Sequence, residues 1–438
     1  MKIIIIGAGQ GGLSAAYGLA KGGHDVVVYE ARKEDELIYD WHDDVNCKVF
    51  KDLKIPVPDE SEYFLKNYWS FNGPFSDRWV KVIQDPEKLD WSMERRPLSR
   101  ILTARAREAG AVIKFETPVE KLVFGEESVK GATVYGEDIL AALVIDSSGV
   151  FSKFRASLPA SFGIAKQPGK EDVFEVYRAF YNMKPDTKTP SLHTNKAYLK
   201  HLGRNGISWC IADPSGQVNV LVGTVGELTD KDFAAAMEHL KKDNDFLGDI
   251  LLRGGSICNI PVRYPITKMV ADGYALIGDA AFMTIPMLGS GIASSIYAGD
   301  ILAEVVNRKN SARAADLWEY QCKFMRKLGA VHVAVDVLKR WMLTADNDDV
   351  RYLMESGIVS ENDMKYVSVG EMLVLKPVDL IKKLLIGWKK LPLLLTLNKV
   401  LMKGKKGYKL AMKIPVTYKP AKVAAWERKL NGLFETKR

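Results

Sequence analysis

The first thirty residues constrain the fold more than any other stretch. Ile3 to Ile6 is an apolar run that ends in Gly7-Ala8-Gly9-Gln10-Gly11-Gly12; Leu13-Ser14-Ala15-Ala16 follows, and a second apolar run, Val26 to Tyr29, is closed by Glu30. Strand, glycine turn, helix, second strand and terminal acid are in the register of a nucleotide-binding βαβ unit. Gly7 serves the tight turn out of the strand, Gly9 lets a pyrophosphate reach the backbone, and Gly12 lets helix and strand pack closely. The helix N-terminus turns unpaired N–H groups and the positive end of its dipole toward the phosphates. Glu30 is placed to accept hydrogen bonds from a ribose 2′-hydroxyl and would repel a 2′-phosphate, so the site suits FAD or NAD and not NADP. Ala31 and Arg32, next in the chain, count with it as cofactor-binding residues.

At 438 residues and 47% hydrophobic, the chain suffices for two or three packed units, and disorder is excluded. The four isoleucines before the glycine turn are too short for a signal peptide and are needed as a strand; a cytoplasmic protein is expected. Cys47, Cys210, Cys258 and Cys322 lie far apart and there are six His, so neither a disulfide framework nor a metal site is expected. The net charge of +8 conceals an asymmetry: Lys376 to Arg438 holds 17 Lys and Arg against three acids, a net +14, which leaves the preceding residues at −6. Such a tail meets phosphates, and without a nucleic-acid module beside it an anionic membrane surface is the expected partner of residues 376–438. Ile381, Leu384, Leu385 and Trp388 share one helical face, opposite Lys382, Lys383, Lys389 and Lys390, as in an interfacial helix. A core-packing helix with a solvated lysine face is the alternative. Leu391 to Met402 is too short and too interrupted to span a bilayer.

Tyr39 to Trp91 reads as irregular and holds Trp41, Trp69, Phe71, Phe75, Trp79 and Trp91. Arg96-Pro97-Leu98-Ser99-Arg100 opens a helix over Ile101 to Ala109 that Gly110 ends. Strand-like runs follow near 112–115 and 131–135, and 142–145 leads into Asp146-Ser147-Ser148-Gly149. From about 173 to 262 the pattern is β-rich, with one helix near 232–241. Tyr274 to Ile277 returns to α/β and is followed by Gly278-Asp279, Pro286, Gly289-Ser290-Gly291-Ile292 and a helix to about Asn307. Everything beyond Ala312 reads as helical. The expected fold class is α/β. Residues 1–172 and 263–311 form a Rossmann-like nucleotide-binding domain with an aromatic-rich insert at about 39–95, 173–262 a β-rich substrate domain, and 312–438 a C-terminal helical region with a basic tail.

This order of fingerprint, Arg-Pro helix, strand ending in Asp-x-x-Gly and late strand ending in Gly-Asp resembles a group of FAD-dependent enzymes with the glutathione-reductase-type fold. The group holds aromatic hydroxylases, flavin-dependent halogenases and geranylgeranyl reductases, and the resemblance covers roughly residues 1–310. It implies that Asp279 binds the ribityl chain of FAD and that Pro286, Gly289, Ser290, Gly291 and Ile292 lie along the pyrophosphate and isoalloxazine. Arg100 and Gly149 join the cofactor site on the same ground. Independently of it, a carboxylate at a strand end can accept ribityl hydroxyls, and glycines with a helix N-terminus can approach a flavin closely. Phe282 and Ala293 stand where the hydroxylases carry His and Asn, and the Trp-x-Trp-x-Ile-Pro stretch of the halogenases is absent. The run from Pro286 to Glu304, and Gly206-Ile207-Ser208-Trp209 with Gly216 to Gly223, look like the geranylgeranyl reductase branch. Cys210-Ile211-Ala212-Asp213 departs from that branch, where an aromatic and a proline are usual, and Asp146-Ser147-Ser148-Gly149 departs from the commoner Asp-Gly form.

The resemblance implies reduction of C=C bonds in the prenyl chains of a lipid or quinone, with hydride from reduced FAD and a proton from an acid, in a dry apolar channel lined by 63–91 and the sheet. No second GxGxxG exists for a nicotinamide, so electrons come from NAD(P)H docking transiently or from a protein donor. The polar segment Tyr39-Asp40-Trp41-His42-Asp43-Asp44-Val45-Asn46-Cys47 is the candidate source of the proton: His42 with Asp43 or Asp44 as an oriented acid/base pair, or Cys47. The alternative is a solvated loop with capping carboxylates before a helix at 48–53. Two rival functions are an FAD-dependent monooxygenase of an aromatic or apolar small molecule, and a non-enzymatic peripheral membrane protein that keeps the nucleotide fold as a scaffold.

Overall fold

The computed structural model describes residues 1–37, 40–66, 68–185, 187, 195–373, 375 and 377–435. Tyr39 of the polar segment, and Lys376 and 436–438 of the basic tail, lie outside them. The isoleucines of Lys2–Ile6 are apolar on both faces of their strand, and Ile3, Ile4 and Ile5 are fully buried, as an inner parallel strand covered on both sides requires. This strand pairs in parallel with Asp25–Tyr29 and Leu143–Asp146. Val112–Lys114 extends the sheet on one side, and Tyr274–Leu276 with Val270–Ala271 on the other. The architecture is the expected α/β one, a Rossmann-like sheet with β-sheet layers and C-terminal helices.

Gly7 leaves its strand at φ +92°, a conformation that strains any other residue. A Cβ on Gly12 would lie 2.6 Å from the Gly7 carbonyl oxygen, and one on Gly299 would lie 2.6 Å from that of Gly11. The helices Gln10–Lys21 and Ile292–Lys309 therefore cross backbone to backbone, which holds both helix N-termini beside the end of the same sheet.

The aromatic-rich insert is not irregular. The hairpin of Tyr68–Asn72 and Trp79–Ile83 continues the sheet of residues 173–261, with Tyr68–Asn72 parallel to Lys196–Leu199, to make seven strands. His42–Asn46, Asp90–Glu94 and Tyr63–Lys66 form a separate antiparallel sheet. His42–Asn46 escapes a sequence reading because its polar residues show no apolar alternation, and the alternation of Asp90–Glu94 rests on Trp91 and Met93 alone. The fifteen-residue strand Leu247–Pro261 escapes it too: Ile250, Leu251 and Leu252 are all exposed and Gly254 and Gly255 have positive φ.

The C-terminal region is helical and built into the body. Ile414, Val423, Trp426, Leu430 and Leu433 belong to the same core as Ile3 to Ile6, and the Trp318 indole donates to the Pro415 carbonyl at 2.6 Å. Truncation before residue 376 would open that core, so the tail is properly probed by point substitution.

Candidate active site

A cavity of about 990 Å³ is lined by residues from the six-stranded sheet, the seven-stranded sheet and the C-terminal helices. That is the upper end of the roughly 300–1,000 Å³ of small-molecule sites. Gly7, Gly9, Gly11, Glu30, Ala31 and Arg32 line one part of it, with Ser147, Ser148 and Gly149. The Glu30 carboxylate accepts N–H bonds from Ala8 at 2.8 Å and Arg32 at 3.0 Å, one on each oxygen, which leaves a lone pair on each for ribose hydroxyls. Asp146 is fully buried and accepts from Ser148, Ser152 and Tyr274. It fixes the turn that presents Gly149, at φ +97°, to the cavity.

Gly278, Asp279, Gly289, Ser290, Gly291 and Ile292 line the cavity from the late strand and the N-terminus of Ile292–Lys309. Burial, with Asp43 adding to it and Arg95 opposing, pushes the Asp279 carboxyl up to about 6. These residues fit FAD: bare glycine backbone and a helix N-terminus suit a pyrophosphate, and two carboxyls can take ribose and ribityl hydroxyls. Gly12 and Pro286 do not line the cavity. Gly12 acts from behind, by bringing the helix against Gly7. Arg100 does not line the cavity either: its side chain is 64% exposed and pairs with Glu62 at 2.8 Å. The arginine that faces the cavity is Arg95, the first residue of the helix Arg95–Glu108. Glu30→Ala and Asp279→Ala should each lower FAD occupancy, since a hydroxyl loses a charged acceptor worth roughly 1.5–3 kcal/mol. Flavin absorbance per chain, and titration of the apoprotein, read the loss; a wild-type chain that takes up no FAD would overturn the assignment.

The polar segment does not make the expected acid/base pair. His42 does not line the cavity; its Nε2 bonds Glu94 at 2.6 Å, and its ring lies edge-on to Phe64 and Phe180. Asp43 does face the cavity, but its carboxylate is clamped by Arg95 and by Arg178, the latter at 2.8 Å, and accepts from the Trp41 indole at 3.1 Å. Burial alone would raise its pKa; Arg95 and Arg178 outweigh that and hold it below the usual carboxylate range. An acid so held has no proton to give at neutral pH. Asp44 also faces the cavity and accepts from Lys66 at 2.7 Å. Cys47 precedes the helix Lys48–Asp52, half-buried and just off the cavity wall, its thiol pKa raised by burial and by Asp90.

Asp90 was not visible as a candidate in the sequence. It lies opposite Asn46 and Lys66 in the small antiparallel sheet and lines the cavity. Burial, with Asp44 beside it and only Lys66 opposing, pushes its carboxyl up to about 7. The neighbouring wall is apolar: Trp69, Phe71, Phe174, Trp209, Leu221 and Ile260 face the same space. Cys258 and His332 also line it, but burial pushes the thiol up to about 12 and the imidazole down to about 4. Both are neutral near pH 7, and the thiol is a poor nucleophile.

Comparison with known proteins gives two family matches, an NAD(P)-binding Rossmann-like domain at residues 5–34 and squalene epoxidase at residues 252–405. A protein of Sulfolobus acidocaldarius named digeranylgeranylglycerophospholipid reductase is 25% identical over 99% of this chain and 97% of its own. Another so named, from Methanothrix thermoacetophila, is 27% identical over 85% of this chain and 95% of its own. Among solved structures, a geranylgeranyl bacteriochlorophyll reductase-like protein of Thermoplasma acidophilum superposes with a TM-score of 0.72 at 18% identity, over 91% of this chain and 98% of that one. Near-full-length relatives at 25–27% identity, a shared fold and a cavity fitted to FAD make the chain similar to the geranylgeranyl reductases among FAD-dependent oxidoreductases.

Proposed function

We propose that the chain reduces C=C bonds in the prenyl chains of a lipid or quinone, at an anionic membrane surface on the cytoplasmic side. The observation that carries this reading is the continuity of the cavity: the aromatic and aliphatic wall and the nucleotide-binding glycines line one space. An isolated alkene has no carbonyl to stabilise developing charge, so hydride and proton must arrive together in a place that excludes water. The names of the relatives support an isoprenoid substrate. FAD, when bound and reduced, supplies the hydride. The electrons reach it from NAD(P)H docking transiently or from a protein donor.

The proton falls to the chain's own residues. Of the candidates, His42 is turned to Glu94 and Asp43 is held ionised, while Asp44 serves Lys66. Asp90 keeps its proton to near neutrality at the cavity wall and is the acid we favour, with the Cys47 thiol as the second candidate. The decisive experiment mixes photoreduced protein anaerobically with a prenyl lipid and weighs the product. A gain of about two mass units per bond, one hydride and one proton, is expected; a substrate of unchanged mass beside oxidised flavin would overturn the reading. A monooxygenase is the second reading, favoured by the squalene epoxidase match over 252–405, and it would need O₂ and leave oxygen in the product.

A further inference from the structure

The helix Pro377–Ile386 and the residues after it face opposite to what a solvated surface helix requires. Val378, Ile381, Leu385, Trp388, Leu391 and Leu395 are large apolar residues that point out, with Leu385 70% and Trp388 69% exposed. Two of the lysines expected to be solvated point in. Lys383 bonds the Ile358 carbonyl and Asp363, and Lys390 pairs with Asp349 at 2.6 Å. Leu384 does pack inward, against a cluster with Leu353, Ile358, Leu393 and Leu394. A helix that turns Lys383 to the protein and Val378, Ile381 and Leu385 outward is anchored to the body and presents an apolar face.

Charge identifies what covers that face. Lys382, Lys389, Lys399 and Lys403 are exposed around it and pair with no acid among the described residues, and Asp379 is the one acid of 377–395. A second copy would bring like charges together, whereas a bilayer with anionic headgroups offers hydrocarbon to the leucines and phosphate to the lysines. Among the described residues no helix is long and apolar enough to cross a membrane. The site's position matters as well. Ser368 to Glu371 line the cavity, and Glu371 pairs with Lys88 at 2.8 Å where both are partly exposed. Six Cα–Cα steps separate Glu371 from Pro377, which limits the distance between them to about 20 Å.

We infer that residues 378–395 are a monotopic insertion face that seats the enzyme in the headgroup and acyl boundary of an anionic bilayer, with the 368–371 side of the cavity held close to the lipid. This rests on the proposed lipid substrate only for the use made of the docking. The test takes full-length, FAD-loaded protein and the double variant Leu385→Ser/Trp388→Ser, whose exposed positions leave the core untouched, with phosphatidylglycerol and phosphatidylcholine vesicles. Wild type should bind phosphatidylglycerol vesicles and stay partly bound at high salt, while the variant should bind at least ~10-fold more weakly, because each large apolar side chain moved from lipid to water is worth about tenfold or more. Equal binding of the two proteins, or complete release of wild type by salt, would show attachment by charge alone and overturn the inference. So would a wild-type dimer that the variant splits and that ignores vesicles. Detergent-dispersed prenyl lipid separates the two proposals: if both proteins reduce it equally and only wild type reduces it in vesicles, both stand. If neither reduces it while wild type still binds vesicles through this face, the docking stands and the reductase reading fails.

Discussion

Asp90→Asn should bind FAD and accept electrons as the wild type does, yet slow the reoxidation of reduced enzyme by prenyl substrate ~10²–10⁴-fold, the usual worth of a positioned acid. The two half-reactions separate cleanly in stopped flow, and only the second needs the proton. The pH dependence gives the sign. With its carboxyl pushed up to about 7 by burial and Asp44, Asp90 carries the proton below that value, so wild-type reoxidation should be fast at lower pH and fall as pH rises through about 7. The Asn variant should lack that inflection. Stability supplies a readout independent of turnover: an acid whose folded pKa lies above its ordinary value near 3.9 lets stability drain away between about pH 4 and 7, and Asp90→Asn should not show this drain. An infrared band of a protonated carboxyl that titrates near neutrality and vanishes in the variant would report the same group directly. Reoxidation at the wild-type rate in Asp90→Asn, with the loss appearing in Cys47→Ala, would move the acid to the thiol.

Asp43→Ala should cost about 3–5 kcal/mol of stability, the effect of removing one partner from a buried ion pair. Arg178 is almost fully buried and Arg95 largely so, and without Asp43 two guanidinium groups face each other across the cavity wall. Chemical denaturation of the two apoproteins measures the difference, and a loss below about 1 kcal/mol, the range of surface pairs, would refute the clamp. Because the folded pKa of Asp43 lies below its ordinary value, the contribution is present above about pH 4 and is lost only as pH falls through the lower folded value. Asp43→Asn, which keeps a hydrogen-bond acceptor but not the charge, should lose less.

The parts of this molecule that could be read in advance are those whose logic is local. Gly7 to Glu30 states its turn, its helix and its acid within one supersecondary unit, and Gly278-Asp279 and Gly289 to Ile292 do so at a strand end and a helix start. Arg95 opens its helix at the cavity, whereas Arg100, about 140° round the same helix, turns to Glu62, and which side of a helix faces a cavity is set by tertiary packing that the sequence does not state. Asp90 was invisible because its properties come from Asp44 and Lys66, which only strand pairing brings beside it. The stretch 381–390 is legible as amphipathic, but amphipathicity gives a stripe and not the direction it turns. Tertiary ion pairs at Lys383 and Lys390 set that direction.

Because Gly299 rests on the carbonyl of Gly11, the first helix cannot take its final seat until almost 290 further residues have been made. At roughly 5–20 residues per second that wait is about 15–60 s, and for about 7–26 s of it the edge of Leu143–Asp146 is made but still lacks its partner Tyr274–Leu276. An unpaired parallel edge is a place for wrong pairing, so the nascent chain is most exposed to aggregation in that interval. Flavin capture must then follow completion of the chain rather than guide it. A shortage of FAD during expression would leave the finished fold less stable by mass action.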